Sequence, residues 1–188
     1  MGAHSSKSKY IILYGVKDSG KTLMQYSMQS TLKDLGDIQP TEGYNYEEVQ
    51  INNTNLGLFD VSGDPKQFEI VNIITKCVNI SGLIFMVPLD RMEELDKSRD
   101  LLKLFLSNNY LSGEMAILIV YNYRTQQTKE NLSWISENIL DSRIGIEKIK
   151  DQFSIENIKS VIVDASNLDN SNFMNVLEEY VRLLEKSI

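Results

Sequence analysis

Two glycines, a lysine and a threonine stand at fixed spacing near the start of the chain, in Gly15-Val16-Lys17-Asp18-Ser19-Gly20-Lys21-Thr22. Glycine permits backbone angles that other residues resist, lysine brings a compact positive charge, and threonine brings a hydroxyl. A loop of this make-up can turn the main-chain amides from Gly15 through Lys17, Asp18, Ser19 and Gly20 inward around a phosphate. Lys21 then reaches the β- and γ-phosphates, and the Thr22 hydroxyl ligates Mg2+. Such a loop needs a strand before it and a helix after it. Tyr10-Ile11-Ile12-Leu13-Tyr14 is an apolar run fit for a strand, and Leu23, Met24, Met28, Leu32 and Leu35 recur at near-helical spacing up to Gly36. The context for a phosphate-binding P-loop is therefore present.

A second group of oxygen donors lies downstream. Asp60 ends an apolar run over 56–61 and is followed by Ser62-Gly63-Asp64-Pro65. An aspartate at the C-terminal edge of a parallel strand sits where such sheets bind ligands, and it can hold Mg2+ opposite Thr22. Thr41, in a loop punctuated by Pro40 and Gly43, can add its hydroxyl to the same ion when a γ-phosphate is present. The plainer alternatives are a strand-end cap for Asp60 and a turn residue for Thr41.

The elements that must position these groups follow in order. Strand-like runs over 46–51 and 56–61, joined by Asn52-Asn53-Thr54-Asn55, read as a hairpin. Helix is predicted over 70–78, strand over 83–87, an amphipathic helix over 92–106 and strand over 116–121. A helix over 131–140 points Leu132, Ile135, Ile139 and Leu140 inward, with Trp134 as a packing residue. The last strand is Val161-Ile162-Val163 and the closing helix spans 173–184. The charged stretch 142–159 reads as a surface excursion with a short helix. Cys77, beside Ile73, Ile74 and Val78, reads as a small buried hydrophobe. Uninterrupted apolar strands between helices imply an α/β fold of P-loop NTPase type. The expected sheet is mostly parallel and six-stranded, with helices on both faces and one antiparallel edge hairpin strand.

Composition narrows the function classes. The 188 residues suit one domain over 10–188 behind a flexible leader over 1–9. A net charge of −7 with no Lys/Arg block argues against a nucleic-acid surface. One cysteine excludes an internal disulfide, and no apolar run approaches the roughly 18 residues of a membrane span. Gly2 and Ser6 satisfy the loose N-myristoylation pattern, although a disordered leader is the favoured reading. One acyl chain gives only marginal membrane binding. His4, the only histidine, has no ligand partner nearby in the sequence.

Gly15 to Thr22, Pro40-Thr41-Glu42-Gly43-Tyr44-Asn45 and Phe59-Asp60-Val61-Ser62-Gly63 together resemble a small GTPase of the Arf/Arl branch, from Tyr10 to the final helix. The resemblance implies bound GTP or GDP, with Gly63 beside the nucleotide and Mg2+ held by Thr22, Thr41 and Asp60. It implies a hairpin that changes register between the two nucleotide states. It also implies an apolar cluster, Tyr44, Phe59 and Ile74, presented to a protein effector or larger complex. The expected location is cytoplasmic, either peripheral to a membrane or within a large assembly, with membrane contact only if Gly2 is acylated.

Three departures qualify that expectation. Asp64 stands where the family's glutamine orients the attacking water; an ionised carboxylate only accepts hydrogen bonds and adds charge beside a γ-phosphate. Intrinsic hydrolysis is therefore expected to be slow or absent, and Gln67, three residues on, is not assumed to substitute. The guanine-reading Asn-Lys-x-Asp aligns with Asn122-Tyr123-Arg124-Thr125. Asn122 is kept and Tyr123 can stack on base or ribose, but Thr125 replaces the carboxylate that accepts two bonds from guanine. The loop Asp164-Ala165-Ser166 keeps the Ala165–Ser166 pair whose amides meet the base oxygen. Finally, nothing apolar precedes Tyr10, so the family's amphipathic N-terminal lever is expected to be lacking. The leading expectation is a divergent Arf-like guanine-nucleotide-binding module or slow switch. The alternatives are a structural pseudo-GTPase subunit with a fixed or absent nucleotide, and an enzyme that relies on a partner or accepts other bases.

Overall fold

In the computed structural model, residues 8–27, 41–107, 115–165 and 170–186 are described. Strand β1 (Lys9–Gly15) runs through the middle of the sheet, and consecutive side chains leave it on opposite faces. Ile12 and Tyr14 enter one core layer, and Ile11 and Leu13 enter the other. A strand covered on both sides must be apolar throughout, which is why the run is continuous rather than alternating.

Helix α1 (Lys21–Ser27) follows the glycine loop. Strands β2 (Tyr44–Ile51) and β3 (Thr54–Val61) form the antiparallel hairpin. Asn52 and Asn53 both adopt positive φ, 47° and 68°, as a two-residue hairpin turn requires. A 3-10 turn, Pro65–Gln67, leads into α2 (Phe68–Cys77). Then come β4 (Ile80–Pro88), a second 3-10 turn (Leu89–Glu94), α3 (Leu95–Leu106) and β5 (Ala116–Tyr123). The chain continues through α4 (Gln126–Asn131), α5 (Glu137–Ile144), α6 (Ile146–Phe153), β6 (Ile158–Asp164) and α7 (Asn170–Lys186). The strand order is β2-β3-β1-β4-β5-β6, all parallel except β2 at one edge. Helices α1 and α7 cover one face through Met24, Phe173, Leu177 and Tyr180. Helices α2, α3, α5 and α6 cover the other through Val71, Phe105, Leu140 and Ile149. The sheet is thus the six-stranded, mostly parallel one expected. Because β1 lies between β3 and β4, the order reverses at β1, and the crevice beyond its carboxyl end is where such sheets bind ligands.

Local differences from expectation have physical causes. The helix expected from residue 92 begins at Leu95, because Leu89–Glu94 winds as a 3-10 turn broken at Arg91 (φ −134°, ψ 65°). The helix expected over 131–140 splits into α4 and α5. That split shifts the helical phase, so Leu140 stays buried while Ile139 and Trp134 (62% exposed) face outward. Trp134 is therefore no packing residue; its Nε1 donates to Asn131 O. Cys77 is exposed rather than buried. It is the last residue of α2, six residues past the buried Val71 and so about 120° round the helix from it. The expected excursion over 142–159 is instead ordered structure. Gly145 (φ 77°) separates α5 from α6, and Ile144, Ile146 and Ile149 anchor both. Residues 28–35 of the first expected helix lie outside the described residues.

Candidate functional site

The loop after β1 is held against β4. A Cβ on Gly15 (φ 142°) would stand 2.2 Å from Met86 O, so only glycine lets the strand end there. Within the loop, Lys21 is 6% exposed. Its Nζ donates to Gly15 O (3.1 Å) and Val16 O (2.9 Å). An ammonium removed from water favours its neutral form. Burial accordingly lowers the Lys21 pKa to about 8, against the opposing pull of the Asp60 and Asp18 carboxylates and with a further push from Arg91. Lys17 and Asp18 occupy the exposed tip, Asp18 in a left-handed conformation (φ 58°), whereas Ser19 is buried.

Three oxygen donors converge beside the lysine. Thr22 Oγ1 donates to Asp60 Oδ2 (2.7 Å), as does Thr41 Oγ1 (3.0 Å), and the two hydroxyls lie 2.9 Å apart. Asp60 is fully buried, and its second oxygen, Oδ1, has no hydrogen-bond partner. Burial raises its pKa, with Thr22, Lys21 and Thr41 pulling the other way. An orphaned buried carboxylate oxygen beside two hydroxyls is a hard, all-oxygen donor set, the kind that suits Mg2+. The sequence-predicted metal set Thr22, Thr41 and Asp60 is therefore brought together by the fold.

Two loops close over this cluster. Ser62 N–H donates to Gly43 O (3.0 Å), and Gly43 N–H donates to Gln67 Oε1 (2.8 Å). Gly63 is packed on the glycine loop: a Cβ there would come within 2.5 Å of Gly15 O and Lys17 N. Asp64 Oδ1 accepts from Lys66 N–H (2.9 Å), capping the 3-10 turn. The open cleft measures about 810 Å³ and is lined by residues 17–23, Thr41, Glu42, residues 62–64, Gln67 and Arg124.

At the far end of the loop the picture changes. Asn122 is buried; its Nδ2 donates to Ser19 O (3.0 Å), and its Oδ1 is unpartnered. Tyr123, one residue on, leaves β5 on the opposite face. Its ring joins the core, and its hydroxyl donates to Leu132 O (3.1 Å), away from the cavity. Thr125 Oγ1 accepts from Thr128 N–H (3.1 Å) as the N-cap of α4. Ala165 N–H donates to Tyr123 O (2.8 Å), extending the β5–β6 pairing, while Ser166 and Gly2 lie outside the described residues. Of the predicted base-side residues with described side chains, only Asn122 bonds to the glycine loop.

Two arginines not singled out by the sequence reading grip the loop from that side. Arg91 Nη2 donates to Lys17 O (2.6 Å). The Arg124 guanidinium donates to Asp18 O and holds both oxygens of Asp90, with Nε at 3.0 and 3.1 Å. Burial would raise the Asp90 pKa, but the Arg124 hydrogen bonds and charge outweigh it and keep it below the usual carboxylate range. Arg124 was visible inside the Asn-x-x-Thr segment but carried no assigned role. Arg91 had no local signal, since its reach depends on the break in the 3-10 turn. On the outer surface Tyr44 is 51% exposed, whereas Phe59 and Ile74 are buried, Phe59 beneath the rings of Tyr44, Tyr46 and Tyr10.

A glycine loop gripping its own buried lysine, a strand-end aspartate among hydroxyls and a central parallel sheet define a P-loop nucleotide-binding protein of the small-GTPase fold. The chain matches the ADP-ribosylation factor family model over residues 2–182 and belongs to that family. Its structure is similar to the small GTPase Arl6 (BBS3) of Trypanosoma brucei, solved with the nucleotide analogue GppNp. The TM-score is 0.77 and the identity 15%, over 97% of this chain and 100% of that one. It is also similar to the mammalian SRP receptor, with a TM-score of 0.68 and 15% identity over 92% of this chain and 100% of that one. At such identity these likenesses speak to fold alone. Proteins of the family generally bind guanine nucleotide and Mg2+ and interact with effector proteins. No helix among the described residues is long and apolar enough to cross a membrane.

Proposed function

We propose that the chain is a divergent Arf-like guanine-nucleotide-binding protein, working as a binding module or slow switch with weak or absent intrinsic GTP hydrolysis. The observation that carries this reading is the buried Lys21, held by the carbonyls of its own loop at the head of a cavity lined by Thr22, Thr41 and Gly63. Main-chain amides of residues 17–20 cradle the phosphates, and Lys21 moves from loop carbonyls to phosphate oxygens. Thr22, Thr41 and Asp60 would hold Mg2+, which when bound offsets phosphate charge. Asp64 supports slow chemistry, since its carboxylate caps a turn and only accepts hydrogen bonds. Base readout rests on Asn122, with Tyr123 turned into the core and Thr125 occupied as a cap, so discrimination among bases is weak. Tyr44, supported from beneath by Phe59, faces the effector, with Ile74 behind the same wall. The site of action is cytoplasmic, and membrane contact follows only from acylation of Gly2. Retained nucleotide released from purified protein, identified by chromatography, tests the reading directly. An unchanged melting temperature at saturating GTP, GDP, ATP and Mg2+ sinks it.

One observation favours a second reading, a structural pseudo-GTPase subunit with a fixed nucleotide. Arg91 and Arg124 hold the carbonyls of Lys17 and Asp18 through groups that belong to the protein itself. A loop braced in this way would release nucleotide slowly. Rapid exchange of a fluorescent GDP on chelation of Mg2+ counts against that version.

A further inference from the structure

We propose that Gln67 reads the terminal phosphate of a bound nucleoside triphosphate and so sets the preference for triphosphate over diphosphate; this rests on the nucleotide reading above. The argument begins with Asp64. Its Oδ1 is turned to Lys66 N–H, and Pro65 follows, so the chain tightens into a 3-10 turn in which Gln67 N–H donates to Asp64 O (2.9 Å). That turn brings the side chain of Gln67, rather than the carboxylate of Asp64, back across the cavity. There Oε1 accepts from Gly43 N–H (2.8 Å) and ties the loop bearing Thr41 to the loop bearing Gly63. A carboxamide has two ends. With Oε1 fastened to main chain, Nε2 is the remaining donor, on a residue that lines the cavity together with Lys21, Thr41 and Gly63. A phosphate chain gripped by Lys21 would end among these residues. A third phosphate there offers charged acceptors to Nε2, whereas a diphosphate leaves Nε2 facing water.

The test measures the affinity of the full chain for GDP and for the imido-linked triphosphate GppNp, with Mg2+ present, in the wild type and in Gln67→Ala, Gln67→Glu and Lys66→Ala. A hydrogen bond to a charged group corresponds to roughly a ten-fold or larger change in binding constant. Gln67→Ala should therefore weaken GppNp by about that factor and GDP by less than about three-fold. Gln67→Glu keeps an acceptor for Gly43 N–H but loses the donor; it should lose GppNp affinity at least as strongly and keep GDP affinity. Lys66→Ala, on the same turn with its side chain outside the cavity, should behave as wild type, and melting temperatures check that all variants fold. Equal losses for both nucleotides in Gln67→Ala, or wild-type GppNp affinity in Gln67→Glu, would reduce Gln67 to a structural clasp and overturn the proposal. Failure of the wild type to bind either nucleotide overturns the nucleotide reading itself and this proposal with it.

Discussion

Replacing Lys21 with methionine should move stability in opposite directions with and without nucleotide. Methionine matches the length of the lysine stem without the charge. In the ligand-free protein the buried ammonium has its pKa lowered from 10.5 to about 8, with burial as the leading cause. At about 1.4 kcal/mol per unit, that difference amounts to roughly 3 kcal/mol of unfavourable charge at pH 7. Losing the bonds to Gly15 O and Val16 O returns about 1 kcal/mol, because both carbonyls can take water from the cavity. The variant should then be more stable by about 1–2 kcal/mol when ligand-free, or a few degrees for a domain of this length. With nucleotide the order reverses: phosphate oxygens no longer meet a charged donor, and affinity should fall by about two decades or more.

The sign with pH follows from proton counting. Between pH 8 and 10.5 the unfolded chain keeps the Lys21 proton while the ligand-free fold gives it up, so stability rises with pH across that window. From pH 7.5 to 9.5 the gain is about 2 kcal/mol, and Lys21→Met should lack it. The range stops at 9.5 because tyrosine ionisation acts the other way: the exposed Tyr46 is pushed up to about 12 by partial desolvation and by Glu48, so its ionisation favours the unfolded chain as pH passes the ordinary value near 10. Urea unfolding of both proteins in EDTA at the two pH values, and melting with GTP and Mg2+ at pH 7, measure every quantity named. A ligand-free variant less stable than wild type by more than about 1 kcal/mol would refute the account of the buried charge. So would a pH slope shared by both proteins.

Further outcomes follow from other contacts. Gly63→Ala places a Cβ within 2.5 Å of Gly15 O and Lys17 N, both main-chain atoms. It should lower triphosphate affinity by about ten-fold or more, read by titration with GppNp. Asp60→Asn removes the carboxylate between Thr22 and Thr41, so nucleotide release, expected to be accelerated by EDTA in the wild type, should become insensitive to EDTA in the variant. Thr125→Asp preserves an N-cap, leaving the melting temperature nearly unchanged. It should also raise guanine over adenine preference by about ten-fold, measured by competition. Gly82→Ala would drive a Cβ to 1.9 Å from the Tyr180 hydroxyl, which donates to Ala116 O. It should cost about 1–3 kcal/mol in urea unfolding without altering nucleotide affinity of the folded fraction.

What the sequence disclosed and what it withheld divide along one physical line. The phosphate half of the site is built from main chain, and a main-chain loop leaves its requirements in residue type. Gly15 must lie flat against Met86, and Gly63 must lie against Val16 and Lys17, so the letters and their spacing carry the geometry. Asp60 likewise announced itself by ending a strand buried on both faces. The base half depends on which way side chains leave a strand, and there a single position decides. Asn122 points to the loop and Tyr123 into the core because neighbours on β5 alternate, a fact that an alignment of four letters conceals. Helical phase misled in the same manner at Trp134, Ile139 and Cys77, where a shifted start or a helix end turned apolar residues outward. Arg91, Arg124 and Gln67 act across 74, 106 and 24 residues of chain, through a broken turn or a capped one, and no local pattern marks them. The residues hardest to find by reading are thus the ones that brace and close a loop whose own chemistry was plain, and the behaviour peculiar to this chain is to be sought in them.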